Sequence, residues 1–198
     1  MKVVGIGFNY SFGCKGAGKA QDMIALGREY GFETHVVDEV QMDGMPVSST
    51  RIRGEIAKGD MEEAARLLGR PYTLCGVVEH GKKLGRRLDF PTANLRWDES
   101  KALPPKGVYA ALAYIREDWY MAAVNIGEHP TTPGGKMTVE ANLIGYEGDE
   151  FYGCHMRLLF YKRLREEKKF ESLEALREAV MLNREETKAY FKAYEAQL

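Results

Sequence analysis

The residues best placed to do chemistry lie in HGKKLGRRLDFPTANL, positions 80–95. Gly81 and Gly85 stand among Lys82, Lys83, Arg86 and Arg87, which concentrates backbone amides and cations where a polyphosphate could approach. Just beyond them Pro91 fixes its own φ, and Thr92 and Asn94 are two positions apart. In an extended segment their two oxygens point the same way, an arrangement suited to a small oxygen-seeking cation such as Mg²⁺. The same stretch also reads as a basic loop followed by an ordinary turn, which composition alone favours.

Three further segments carry reactive side chains. In MTVEANLIGYEGDEFYG, 137–153, alternation sets Val139, Ala141 and Leu143 on one face and Thr138, Glu140 and Asn142 on the other. Glu140 is then a carboxylate on a rigid strand, a platform for a general base, although a single strand glutamate is more often surface charge. VSSTRIR, 47–53, gathers hydroxyls with Arg51 and Arg53, which in a strand or turn could fork around a phosphate; a solvated capping turn is the equal alternative. GCKGAGK, 13–19, follows the phosphate-cradle pattern GxxxxGK[ST] for seven positions, but Ala20 stands where a hydroxyl should meet Mg²⁺. A glycine-rich turn from strand to helix is the better reading of it.

These residues need elements to hold them. VVGIGFNY, 3–10, predicts a strand buried on both faces, followed by a turn, a helix from Ala20 to Tyr30 ended by Gly31, and a strand at 35–40. Strand, helix, strand in so short a span is part of a parallel α/β sheet. Asp60 caps a helix with Glu63 at its third position and Ala64, Leu67 and Leu68 inward, a joint between two regions. Strand-like runs then recur at 73–79, 107–115, 119–126, 137–144 and 154–163 with no helix between, which implies an antiparallel barrel or sandwich. At the end Ser172 caps one helix, and Asn183 with Glu186 opens a second that carries Tyr190, Phe191 and Tyr194.

Composition excludes several classes. The 198 residues, 44% hydrophobic and 29% charged, suit one globular domain or one with an appendage and exclude a disordered chain. A net charge of −1 argues against nucleic acid or an anionic membrane as main partner. The longest apolar run, Val108–Ile115, is far below the roughly 20 residues of a membrane span. Cys14, Cys75 and Cys154 form no CxxC pair, so they predict reduced thiols in a cytoplasmic protein rather than a disulfide frame or zinc site.

PTAN after a GxxxGR loop, NIG at 125–127 followed closely by HPTT, and VEANL followed by YG at 152–153 together resemble the riboflavin kinase family over about residues 72–190. The resemblance implies an α+β fold: a six-stranded antiparallel Greek-key barrel with C-terminal helices over 71–198. Residues 1–70 resemble the later half of the FMN adenylyltransferase domain of bacterial bifunctional FAD synthetases, a partial Rossmann-like segment. There VSSTRIR resembles the nucleotide motif IxSTxIR and supplies Ser49, Thr50 and Arg53. The HxGH-type companion motif has no counterpart, since His35, His80, His129 and His155 each stand alone. The expectation is therefore phosphorylation of riboflavin by ATP to FMN and ADP, without FAD synthesis.

Carried over residue by residue, the resemblance gives Thr92 and Asn94 to Mg²⁺ and the ATP phosphates. It gives Gly81, Gly85 and Arg86 to the phosphate loop, and Glu140 the proton of the ribityl 5′-hydroxyl. Glu140 is expected to approach from the far side of the barrel. Asp89 and His129 depart from the family's usual glycine and arginine. The partners expected are small molecules, not nucleic acid or membrane, with self-association through the partial N-terminal sheet. A non-catalytic flavin- or nucleotide-binding module and a small ATPase built on Gly13–Lys19 are the alternatives.

Overall fold

A computed structural model of the chain describes residues 2–80, 92–128, 137–148 and 150–196. Contacts divide it into two compact units, 1–48 and 49–198.

In the first unit, β1 (Val3–Gly7) pairs in parallel with β4 (Glu33–Val37), and α1 (Ala20–Tyr30) connects them. Gly27 lets the helix close on the sheet, because a Cβ there would lie 2.5 Å from the Phe32 carbonyl oxygen and 2.9 Å from Thr34 Oγ1. Gly31, at φ 72°, ends the helix. Between β1 and α1 the short hairpin β2 (Ser11–Phe12) and β3 (Gly18–Lys19) closes the glycine-rich turn, and Lys19 Nζ donates to the Gly16 carbonyl at 3.0 Å. That turn is a hairpin closed on itself through Lys19. A second hairpin, β5 (Gln41–Met42) and β6 (Met45–Pro46), completes the unit. The expected doubly buried strand over 3–10 is shorter and only Ile6 in it is buried, since two strands and one helix cannot cover both faces.

The second unit starts with α2 (Ser49–Lys58) and α3 (Met61–Leu68). Asp60 caps α3 by accepting from the Glu63 backbone N–H at 3.0 Å, and Met61, Ala64 and Leu67 face inward. Ile56, Met61 and Ala64 belong to the same core as Leu74, Tyr109 and Phe160. By contacts both helices group with the strands that follow, α3 against β7 and β12 and α2 against α3.

Those strands are β7 (Tyr72–Glu79), β8 (Thr92–Trp97), β9 (Gly107–Ile115), β10 (Asp118–Glu128), β11 (Met137–Leu143) and β12 (His155–Arg165). All their pairings are antiparallel and they close in the order β10-β11-β8-β7-β12-β9. The inner face holds Ala93, Ala111, Ala113, Ala122 and Ala141 among larger residues such as Leu74, Val124 and Phe160, the mixture a narrow six-stranded ring requires. The interior is packed and leaves no room there for a substrate. On the outer face α4 (Leu173–Glu195) lies over β9 and β10, on which Val108, Ala110 and Ala123 are buried. This is one unbroken helix, started by Ser172 Oγ accepting from the Ala175 N–H, and not the two expected. Asn183 does not cap a new helix; its side chain is buried and turned to Arg165.

Candidate active site

Glu140, Asn94 and Asn125 form a row across three strands. Glu140 stands directly opposite Asn94 on one side and opposite Asn125 on the other, where Cβ atoms are about 5 Å apart. The next row pairs Asn142 with Thr92 and with Ala123. Alternation keeps Val139, Ala141, Ala93 and Leu95 inside the barrel, so Thr92, Asn94, Glu140 and Asn142 share its outer face. Glu140 thus neighbours Asn94 on the adjacent strand rather than reaching it from across the barrel. The strand order brings β11 back beside β8.

A cavity of about 240 Å³ opens over these rows. Thr92, Asn125, Glu140 and Asn142 make its polar side, and Asn94 stands next to the lining. Val108 and Ala123 line it from β9 and β10, Phe170 from the segment after β12, and Leu176 and Val180 from α4. Two bulges, between Phe160 and Lys162 and between Arg163 and Arg165, bend β12 before that segment leaves the barrel. Arg165, Glu167 and Lys168 add charge there. Burial lowers the Arg165 pKa, opposed by Glu186, yet an arginine starts so high that it stays a cation. Its Nε donates to Asn183 Oδ1 at 3.0 Å, and Arg184 Nη1 donates to Asn142 Oδ1 at 2.8 Å. Glu167 reaches down beside Asn125 over bare backbone: a Cβ on Gly127 would overlap Glu167 Oε1 and lie 3.1 Å from Asn125 Nδ2.

Of the residues expected at the site, Thr92, Asn94 and Glu140 come together. Gly81, Gly85 and Arg86, with Asp89 and His129, lie outside the described residues. Ser49, Thr50 and Arg53 are exposed on the first turns of α2, at spacings that share one helix face. Arg51 and Arg53 do not fork, because two positions on a helix point apart; Arg51 instead meets Glu63 at 3.4 Å. Asn142 was visible on the face of Glu140, and Asn125 in the NIG motif. Arg165, Asn183 and Arg184 carry no local signal. A larger cavity, about 660 Å³, between α3, β12 and α4 is lined by none of the expected site residues. Among the described residues no group of three His, Cys, Asp or Glu could hold a metal, and no helix is long and apolar enough to cross a membrane.

The family model described as riboflavin kinase matches residues 68–191, which includes the barrel, both polar rows and the cavity. The chain belongs to the riboflavin kinase family. A second model, FAD synthetase, matches residues 1–51. The chain is 38% identical over 176 residues to a bifunctional riboflavin kinase/FMN adenylyltransferase of Pseudomonas fluorescens, covering 88% of this chain and 56% of that protein. It is 36% identical to the protein of the same description from Listeria monocytogenes, covering 96% and 60%. Among solved structures it resembles one described as a macrolide-efflux protein from Streptococcus pneumoniae, with TM-score 0.80, 32% identity and coverage of 92% and 60%. It also resembles riboflavin kinase from Trypanosoma brucei, with TM-score 0.50, 25% identity and coverage of 64% and 81%. The chain therefore spans a little over half the length of these bifunctional relatives.

Proposed function

We propose that this riboflavin kinase family member transfers the terminal phosphoryl group of ATP to the 5′-hydroxyl of riboflavin, giving FMN and ADP. The observation that carries the reading is the row Asn94–Glu140–Asn125 beside a cavity with one polar and one apolar side. The apolar side, with Phe170, Leu176 and Val180, suits a flat hydrophobic ring system. The polar side suits a hydroxyl meeting a phosphate.

Phosphoryl transfer asks a protein mainly for alignment and charge neutralisation. The ribityl oxygen attacks the γ-phosphorus, the bond from that phosphorus to the β,γ-bridging oxygen breaks, and the hydroxyl proton passes to the Glu140 carboxylate. Glu140 orients the nucleophile and accepts its proton as the new bond forms. Thr92 and Asn94 offer neutral hard oxygens on one face, a donor set that fits Mg²⁺ held largely by phosphates and water. Bound there, Mg²⁺ would neutralise phosphate charge. The function and its substrates are those of a cytoplasmic biosynthetic enzyme.

Incubating the folded protein with riboflavin, ATP and Mg²⁺ tests the reading: FMN and ADP are expected in equal amounts. Flavin binding without ATP consumption would overturn it in favour of a non-catalytic module. The unpaired outer edges of β1 and β4, among the described residues, with Val3 and Val37 exposed, support self-association through the first unit. Sedimentation should show concentration-dependent dimers, and a Val37→Lys chain that sediments unchanged would remove that assignment.

A further inference from the structure

Among the described residues Asn142, Asn183 and Thr187 are buried polar side chains, and all lie on β11 or α4. Consecutive residues of α4 reach in two directions. Asn183 accepts from Arg165 at the end of β12, and Arg184 donates to Asn142 on the strand that carries Glu140. Thr187, one turn later, donates to the Asn183 carbonyl at 2.8 Å. A guanidinium cannot accept a hydrogen bond, so the Asn142 amide must present its oxygen to Arg184, which fixes how that amide sits beside Thr92 and Glu140. Arg184 itself does not line the cavity, whereas Asn142, Asn183, Val180 and Leu176 do.

Resting on the phosphotransfer reading above, we propose that Arg184 is a positioning residue for riboflavin: through Asn142 it sets the α4 side of the cavity at a fixed distance from Glu140. The α4 side is the apolar one, and Thr92 and Asn94 stand on the other. Loosening the helix should therefore disturb the flavin more than the nucleotide. The bond is charge-assisted and its acceptor is desolvated, which makes it worth more than an exposed ion pair such as Lys188–Glu185 farther along α4.

The test is steady-state kinetics of the whole chain with riboflavin and ATP varied separately, together with the melting temperature, for Arg184→Met, Arg184→Lys and Lys188→Met. Arg184→Met is expected to raise the riboflavin KM about tenfold, the worth of one charge-assisted bond, and to leave the ATP KM within about twofold. Arg184→Lys, which keeps a charged donor, should recover most of the loss, and Lys188→Met should behave as the parent. An unchanged riboflavin KM in Arg184→Met, an equal rise in both KM values, or the same loss in Lys188→Met would overturn the assignment. If Arg184→Met does not fold, Arg184→Gln decides by the same two constants. A parent chain that makes no FMN would sink the phosphotransfer reading and this one with it. An active parent with indifferent Arg184 variants would sink this one alone.

Discussion

Glu140 and Asn94 are cross-strand partners, directly opposite one another on β11 and β8. The proposed proton acceptor and the proposed oxygen ligand are thereby held by two backbones in one hydrogen-bonded ladder. Their separation is set by sheet geometry rather than by side-chain or loop conformation.

That geometry makes Glu140→Gln informative. The amide keeps the shape and cannot take a proton, so the turnover number should fall about 10²-fold or more while both KM values stay within a few-fold. FMN formation followed by chromatography checks it, and equal turnover would remove Glu140 from its role.

Thr92 is expected to act on the nucleotide side. Thr92→Val removes the hydroxyl without changing the strand-forming shape, so the KM for ATP in excess Mg²⁺ should rise about tenfold. Lys19→Ala should leave FMN formation untouched, since its ammonium is bound to the Gly16 carbonyl in the first unit. The reverse pattern in the two variants would favour an ATPase built on the glycine-rich turn.

Gly127 bears on Glu167. An alanine methyl would overlap the Glu167 carboxylate, the free end of a flexible side chain, so the fold should survive while that carboxylate swings away from Asn125. Gly127→Ala is expected to lose less than about 1 kcal/mol of stability and to lower kcat/KM for riboflavin several-fold. Denaturant melts and kinetics on the same preparation separate the two effects, and unchanged kinetics would show that Glu167 does not matter at the site.

Stability at high pH follows from Tyr109. Burial pushes its pKa up to about 12 from the ordinary 10, against the pull of Arg163, and its hydroxyl donates to the Pro105 carbonyl at 2.5 Å. The unfolded chain ionises first as pH rises past 10, so this contribution is complete below pH 10 and is lost as pH climbs toward 12. Tyr190, pushed to about 12 by burial and by Glu62, works in the same direction. Denaturation midpoints measured from pH 8 to 12 should fall above pH 10, and less steeply in Tyr109→Phe.

Much of the site was legible because strands have a period of two. The alternation in MTVEANL separates Glu140 and Asn142 from the core residues between them, and the spacing of Thr92 and Asn94 does the same on β8. What stayed hidden was non-local. The run 92–97 gives no strand signal of its own, because a short polar stretch after a proline looks like a turn until β11 and β7 flank it. Which strand Glu140 faces depends on a ring order that no local pattern records. Asn183 is a good cap in isolation, but a hydrogen bond from Arg165 outweighs that preference and keeps α4 continuous. The helices at 49–68 look like a linker until the partners of Ile56 and Met61 are known.

The strand ring closes on itself, β9 to β10, with hydrogen bonds all the way round. A scaffold without loose ends can let whatever surrounds it breathe, admit a substrate and release a product, with no rupture of its own ladder. On warming, amide exchange should spread first through α4 and the segment that leads into it, and reach the alanine-lined wall last, so that the floor of the proposed site outlives its roof.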